Sequence, residues 1–207
     1  MARTMRVDPT NTWITSDLHF FHKNILKFQP NRAAQFASVD EMNAYIVRHI
    51  NETVGPDGYL FHLGDLSFGR ADETVDLLGS IKVREVHSVY GNHDDEQHMA
   101  SIARRLSLVG STKWIFHGER ITVKTPKNEE MVCDHFPLQV WNKSHFNSYH
   151  VHGHCHGSLS NKGYGRRADV GFDSDHIGPK NQIHLLQDVI DVLSKIEIVN
   201  FDHHRAK

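Results

Sequence analysis

Apolar positions along the chain switch between two periods, and the switching predicts an α/β fold. Thr12-Trp13-Ile14-Thr15-Ser16 and Tyr59-Leu60-Phe61-His62-Leu63 are short β-branched and aromatic runs, and Arg84 to Tyr90, with Val86, Val89 and Tyr90, is a third. Each reads as a buried strand. Between them the pattern is helical. Phe20 to Phe28 reads as one helix and Asn31 to Phe36 as irregular. Ser38 and Glu41 have capping-box spacing ahead of Met42, Tyr45, Ile46, His49 and Ile50, which share one helix face. Gly55-Pro56-Asp57-Gly58 ends that helix, and Ala71 to Ile81, with Val75, Leu77, Leu78 and Ile81, predicts the next. Strand, helix, strand, helix, strand is the order of a parallel βαβ sheet.

The second half is richer in strands. Asp94 to Leu106 reads as a polar-faced helix or turn. Lys113–His117 and Ile121–Lys124, joined through Gly118-Glu119-Arg120, read as a β-hairpin. Met131–Cys133, Tyr149–His152 and Arg167–Phe172 read as further strands, Ile183 to Leu193 as a C-terminal helix, and Ile196 to Val199 as a short closing strand. The Asn200-Phe201-Asp202-His203-His204-Arg205 segment reads as a frayed tail.

The strands end in a way that carries chemistry. The first runs into Asp17-Leu18-His19, the second into Gly64-Asp65, and the third into Gly91-Asn92-His93-Asp94. In a parallel sheet the carboxyl ends share one edge, where such folds bind ligands. Later, Met131–Cys133 stops at Asp134-His135, and Tyr149–His152 runs into Gly153-His154-Cys155-His156-Gly157. In extended backbone, residues two apart project to one side, so Asp17 pairs with His19 and His154 with His156, while Cys155 points away. Oxygen and nitrogen ligands without thiolate suit Mn²⁺, Fe or Zn²⁺. Asp134 reads as a solvated or supporting carboxylate. His22, Asn24, His62, Arg70 and His152 stand near these ligands in sequence and are expected to support or pack.

Composition sharpens this picture in a few places. Histidine is abundant, 18 in 207 residues, so position must separate ligands from surface and packing histidines. The length is that of one domain, taken as residues 1–207. A formal net charge of −2 gives no reason to expect a surface that wraps long nucleic acid. No apolar run is long enough to span a membrane and no secretory signal is visible, so a cytoplasmic location is expected. Cys133 and Cys155 are then expected as free thiols. A structural zinc protein would need paired cysteine motifs, which are missing.

The ordered set Asp17-x-His19, Gly64-Asp65, Gly91-Asn92-His93-Asp94, His135 and Gly153-His154-x-His156 closely resembles the motifs of the calcineurin-like metallophosphoesterase superfamily, spread over residues 17 to 156. The stretch from Trp13 to Ile25 is similar to its small cap-less bacterial and phage members. The resemblance implies a metallo-dependent phosphatase-like fold, a four-layer α/β/β/α sandwich of two mixed sheets flanked by helices. Residues 12–91 would form the βαβ half and 112–172 the hairpin-rich half. It implies two divalent ions, Mn²⁺ first, with Fe, Zn²⁺, Ni²⁺ and Mg²⁺ as alternatives. Asp17, His19 and His156 would hold one ion, Asn92, His135 and His154 the other, and Asp65 both. His93 would face the scissile phosphate, with Asp94 orienting and polarising it.

Two divalent ions, two carboxylates and a metal-bridging hydroxide leave a single positive charge, which suits an anionic phosphoester. The hydroxide would attack phosphorus, and His93 would stabilise the transition state and protonate the leaving oxygen. The expected activity is a phosphodiesterase acting on a small phosphodiester, with cyclic nucleotides and nucleic-acid ends among the candidates and no membrane partner. The alternatives are a phosphomonoesterase of the same fold and a non-catalytic protein-binding scaffold; the latter is disfavoured because every motif residue is kept. Oligomeric state is not legible in the sequence.

Overall fold

The three apolar runs form the centre of a five-stranded sheet in the computed structural model, which describes residues 3–201. β2 (Thr12–Thr15), β3 (Tyr59–Leu63) and β4 (Glu85–Val89) lie parallel, with Thr15 opposite His62 and Leu63 opposite Val89. β5 (Lys113–Phe116) extends them in parallel on one side, and β10 (His184–Leu185) pairs antiparallel with β2 on the other. The second sheet has the order β1 (Arg3–Arg6), β6 (Arg120–Lys124), β7 (Glu130–Asp134), β8 (Tyr149–His152), β9 (Arg167–Asp169). It too is mixed: β6 and β7 are antiparallel, whereas β7, β8 and β9 run parallel.

The sheets face each other across one apolar layer. Ile14, Phe61, Leu63 and Val89 of the first meet Ile121, Val123, Met131, Cys133 and Val151 of the second. This is the strand alternation expected of a sandwich. Leu186, Val189, Ile190 and Leu193 of α6 (Leu186–Ser194) join the same core. A second core holds α3 (Val39–Val54), α4 (Ala71–Leu78) and α5 (Glu96–Val109) on the first sheet through Met42, Ile46, Ile50, Val75, Leu78, Met99, Ile102 and Leu106. On the second sheet, buried Trp141 packs on His150, and the main chain of Leu138 donates to His150 Nε2 (3.0 Å). The architecture is two mixed sheets with flanking helices, the α/β sandwich expected.

Several local expectations are corrected. The proposed hairpin is two strands of different sheets, because the chain crosses at Gly118 (φ 78°); β6 makes its hairpin with β7 instead. β5 therefore belongs with the βαβ half. Phe20 to Phe28 is helical only in α1 (Ile25–Phe28), since His19 and Phe21 take positive φ. The segment read as irregular contains α2 (Pro30–Gln35), started by Pro30 at its first turn. Ser38 caps α3 by accepting from Glu41 N–H, but the Glu41 carboxylate returns to Ala37 N–H rather than to Ser38. No strand forms over 196–199. Of the segment read as a frayed tail, Asn200 and Phe201 are described, with Phe201 against Tyr164 (6.0 Å between ring centroids); the rest lies outside the described residues. Cys133 and Cys155 are both free, and among the described residues no helix is long and apolar enough to cross a membrane.

The core stores a titration. Burial holds the imidazoles of His62 and His152 near 3 and of His87, His150 and His184 near 4, so all five stay neutral where an unfolded histidine is charged. Burial and then the Asp17 charge push Asp169 the other way, to about 7. Between about pH 6 and 5 the unfolded chain binds five protons that the native chain refuses, and the native chain keeps one, on Asp169, that the unfolded chain releases. Stability therefore falls as pH drops, on the order of 5 kcal/mol per unit. Urea unfolding of chelator-treated protein at pH 7, 6 and 5 should show this fall, and a flat profile would contradict it.

Candidate metal centre

Every sequence motif ends on the same edge. The register of β2, β3 and β4 leaves Asp17, Asp65 and Asn92 just beyond three neighbouring strands. Gly153 N–H donates to His135 O (3.0 Å), which sets the ends of β7 and β8 side by side. A parallel bridge between Ser16 and Gly171 ties the two sheets together there. Approach is close enough to require glycine: a Cβ at Gly91 would strike the Asp65 carboxylate, and one at Gly153 would strike Ser16 Oγ and the Asp17 carboxylate.

The loops are wound differently from the extended backbone expected for the two x-separated pairs. Asp17 (φ 58°), His19 (52°), Asp65 (58°), His154 (67°) and His156 (48°) all occupy the left-handed region. Each costs on the order of 1 kcal/mol and persists only where its surroundings over-determine it. The side chains still meet, because the tight turns, rather than a strand's pleat, aim them inward.

Two clusters result. Asp17 Oδ1 lies 3.7 Å from His19 Nε2 and 3.8 Å from His156 Nε2. Asn92 Oδ1 lies 2.9 Å from His135 Nε2 and 2.8 Å from His154 Nδ1. Asp65 Oδ2 sits between them, 3.7 Å from His19 Nε2 and 3.6 Å from His135 Nε2. The ligand atoms of Asp17, His19 and His156, and those of Asp17, Asp65 and His135, fall within 4.8 Å of one another. His19 is buried, yet neither ring nitrogen has a hydrogen-bond partner. A buried imidazole is costly in that state, and a cation at Nε2 would satisfy it. The donor set, mixed carboxylate, amide and imidazole, fits divalent metal.

Electrostatics agree with this fit. Burial opposes ionisation of Asp17, but His19, His156 and His135 outweigh it and hold the carboxyl well below its usual range. Burial, then His135, lowers the pKa of His154 and favours the neutral ring a metal needs. His135 Nδ1 lies 2.7 Å from Leu63 O, so Nδ1 carries the proton and Nε2 is left free toward Asp65 and Asn92.

His93 stands apart. Its main-chain N–H donates to Asp65 Oδ1 (2.9 Å), while its exposed ring packs on Phe68 (5.0 Å) and lies 6.2 Å from His19. The role expected for Asp94 is corrected: both its oxygens are taken by main-chain N–H groups, of Asp65 (2.7 Å), Leu66 (3.0 Å) and Gly91 (2.9 Å). It fixes the Asp65 turn rather than the His93 ring. Asp134 is not solvated but buried, with Oδ2 2.7 Å from Arg120 Nε.

Of the neighbours, His22 reaches the site, against His19 and Phe68. His62 is buried against Ser88, and His152 Nδ1 lies 2.8 Å from Gly153 O. Arg70 and Asn24 are exposed. Phe68, Arg32 and Asp173 were missed by the sequence reading. Asp173 follows Gly171-Phe172 as the other ligands follow their strands, the one signal that pointed to it.

Oxygen and nitrogen ligands gathered at the joined edges of two facing mixed sheets define an α/β-sandwich metallohydrolase. The calcineurin-like phosphoesterase family model matches residues 10–205, and the chain belongs to that family of metal-dependent phosphoric ester hydrolases. The chain is 28% identical over 187 residues to the Gene 66 protein of Mycobacterium phage L5, covering 80% of this chain and 87% of that one. The Gene 66 protein of phage D29 is 25% identical over 185 residues, 81% and 90% of the two chains. These relatives agree with a small phage-type member. Among solved structures, a protein of unknown function from Aquifex aeolicus, AQ665, shares the fold with a TM-score of 0.60 at 17% identity, covering 87% of this chain and 98% of that one.

Proposed function

We propose that the chain hydrolyses a small phosphodiester. Asp17, His19 and His156 hold one divalent ion, Asn92, His135 and His154 a second, and Asp65 both; Mn²⁺ is the first candidate. The position of Asp65 Oδ2, within 3.7 Å of an imidazole from each cluster, supports the shared role. When bound, the ions supply charge neutralisation and an activated water. His93 lies outside both clusters and is free to hydrogen-bond a phosphoryl oxygen and to give a proton to the leaving oxygen.

The observation that carries the diester reading is a recess at each end of the centre. One, about 670 Å³, is lined by Phe21, Lys23, Phe68 and Arg70 and abuts His19 and His93 through Phe68. The other, about 480 Å³, is lined by Tyr90, Asn92, Arg120, Phe136 and Leu138 and abuts His135 and His154 through Phe136. Phe68 and Phe136 are 38% and 44% exposed, enough for each to face one arm of an ester. A diester has two arms; a monoester would leave one recess unused.

The test is a Mn²⁺-supplemented screen of bis-p-nitrophenyl phosphate, p-nitrophenyl phosphate, and 2′,3′- and 3′,5′-cyclic nucleotides. Diesters should turn over faster. Turnover confined to the monoester would overturn the reading. Chelator should reduce activity to background until Mn²⁺ or a similar ion is returned, and activity undiminished in chelator would remove the metal from the mechanism.

A further inference from the structure

We propose that Arg32 and Asp173 form a buried clasp that positions the Asp17–His19–His156 half of the centre, and so sets metal affinity at that half and not at the other. The inference rests on the metal reading above.

Arg32 comes from the short helix α2, yet it is 0% exposed. An arginine is buried only where its donors are met. Its Nε and one terminal nitrogen grip Asp173 in a two-pronged pair at 2.8 and 2.7 Å. The same terminal nitrogen donates to Asp17 O (2.5 Å), and the other to Leu18 O (2.9 Å). These two carbonyls belong to the turn in which Asp17 and His19 are both left-handed. The guanidinium thus pins a strained turn through its main-chain carbonyls.

Asp173 completes the link. Its Oδ2, besides meeting Arg32, lies 2.6 Å from His156 Nδ1, and accepting that proton leaves His156 Nε2 facing Asp17. Asn31 Nδ2 donates to Asp173 Oδ1 (2.7 Å) and to Asn181 Oδ1 (2.8 Å). One guanidinium–carboxylate pair therefore touches the loop after β2 and the loop after β8, the two sources of this ligand cluster. Among the described residues the other cluster has no such clasp: His135 Nδ1 meets the Leu63 carbonyl, and Asn92 Oδ1 meets His135 Nε2 and His154 Nδ1, ligand to ligand.

Outer partners of a ligating histidine are worth about 10- to 100-fold in metal affinity. The experiment is a Mn²⁺ titration of chelator-stripped protein by calorimetry, with bound metal counted after desalting. Wild type should bind two ions. D173N should weaken one site by 10-fold or more and leave the other within about threefold. N31A, which removes one donor to Asp173, should weaken the same site by a few-fold.

Equal weakening of both sites, or none, in D173N would make the pair a plain structural element and overturn the inference. If D173N does not fold, N31A decides it, and unchanged affinity at both sites is the overturning result. Wild type that binds no metal would instead overturn the metal reading, so the two failures are distinguishable.

Discussion

Asp65→Asn should empty both metal positions together. The substitution preserves shape: the amide oxygen can still accept from His93 N–H, as Asp65 Oδ1 does at 2.9 Å. It replaces Oδ2, which faces His19 Nε2 and His135 Nε2, with a donor or at best a neutral acceptor. An anionic oxygen shared by two cations contributes to both, so affinity should fall by 10-fold or more at each position, and phosphoester hydrolysis by at least 10³-fold at Mn²⁺ levels that saturate wild type. The measurement is metal per chain by elemental analysis, with the circular dichroism spectrum as the control for folding. Loss of one ion with full retention of the other would contradict bridging. D173N and D65N should therefore differ in kind, one weakening a single position and the other both.

The contrast marks which parts of the site were legible in the sequence. The metal-type residues were legible because each ends an apolar run, and the parallel order of β2, β3 and β4 then requires Asp17, Asp65 and Asn92 to meet. The geometry that makes them meet was not. Alternation within Asp17-Leu18-His19 suggests extended backbone, yet both outer residues are left-handed, a state that close packing against Gly64, Asp65 and Arg32 imposes and that local propensity disfavours. The same limit explains the false hairpin. Two β-runs around a Gly-containing turn fit a hairpin locally, and only pairing with β4 and β7 separates β5 from β6.

Arg32 gave no signal at all. In the string it is one charged residue in Pro30-Asn31-Arg32-Ala33, and its partner lies 141 residues away. Asp94 illustrates the converse. The family resemblance implied that Asp94 pairs with the His93 ring, but the Asp94 carboxylate turns inward to three main-chain N–H groups. Sequence contiguity indicated where the chemistry is, and the topology distributed the roles.

His93→Ala should keep both metals and lose turnover. The His93 ring is exposed, packs on Phe68 and lies outside both ligand clusters, so its removal vacates no coordination position. The bond from its main-chain N–H to Asp65 Oδ1 survives the substitution, because alanine keeps the N–H. In the proposed mechanism what is lost is a donor toward the phosphoryl oxygens and a proton for the leaving oxygen, together worth about 10²- to 10⁴-fold. The loss should depend on the leaving group. An alkoxide needs the proton, whereas p-nitrophenolate leaves unaided, so H93A should be impaired more on cyclic nucleotides than on bis-p-nitrophenyl phosphate. Metal content unchanged with turnover near wild type on every substrate would remove His93 from the chemistry. Metal lost along with activity would return it to the ligand shell.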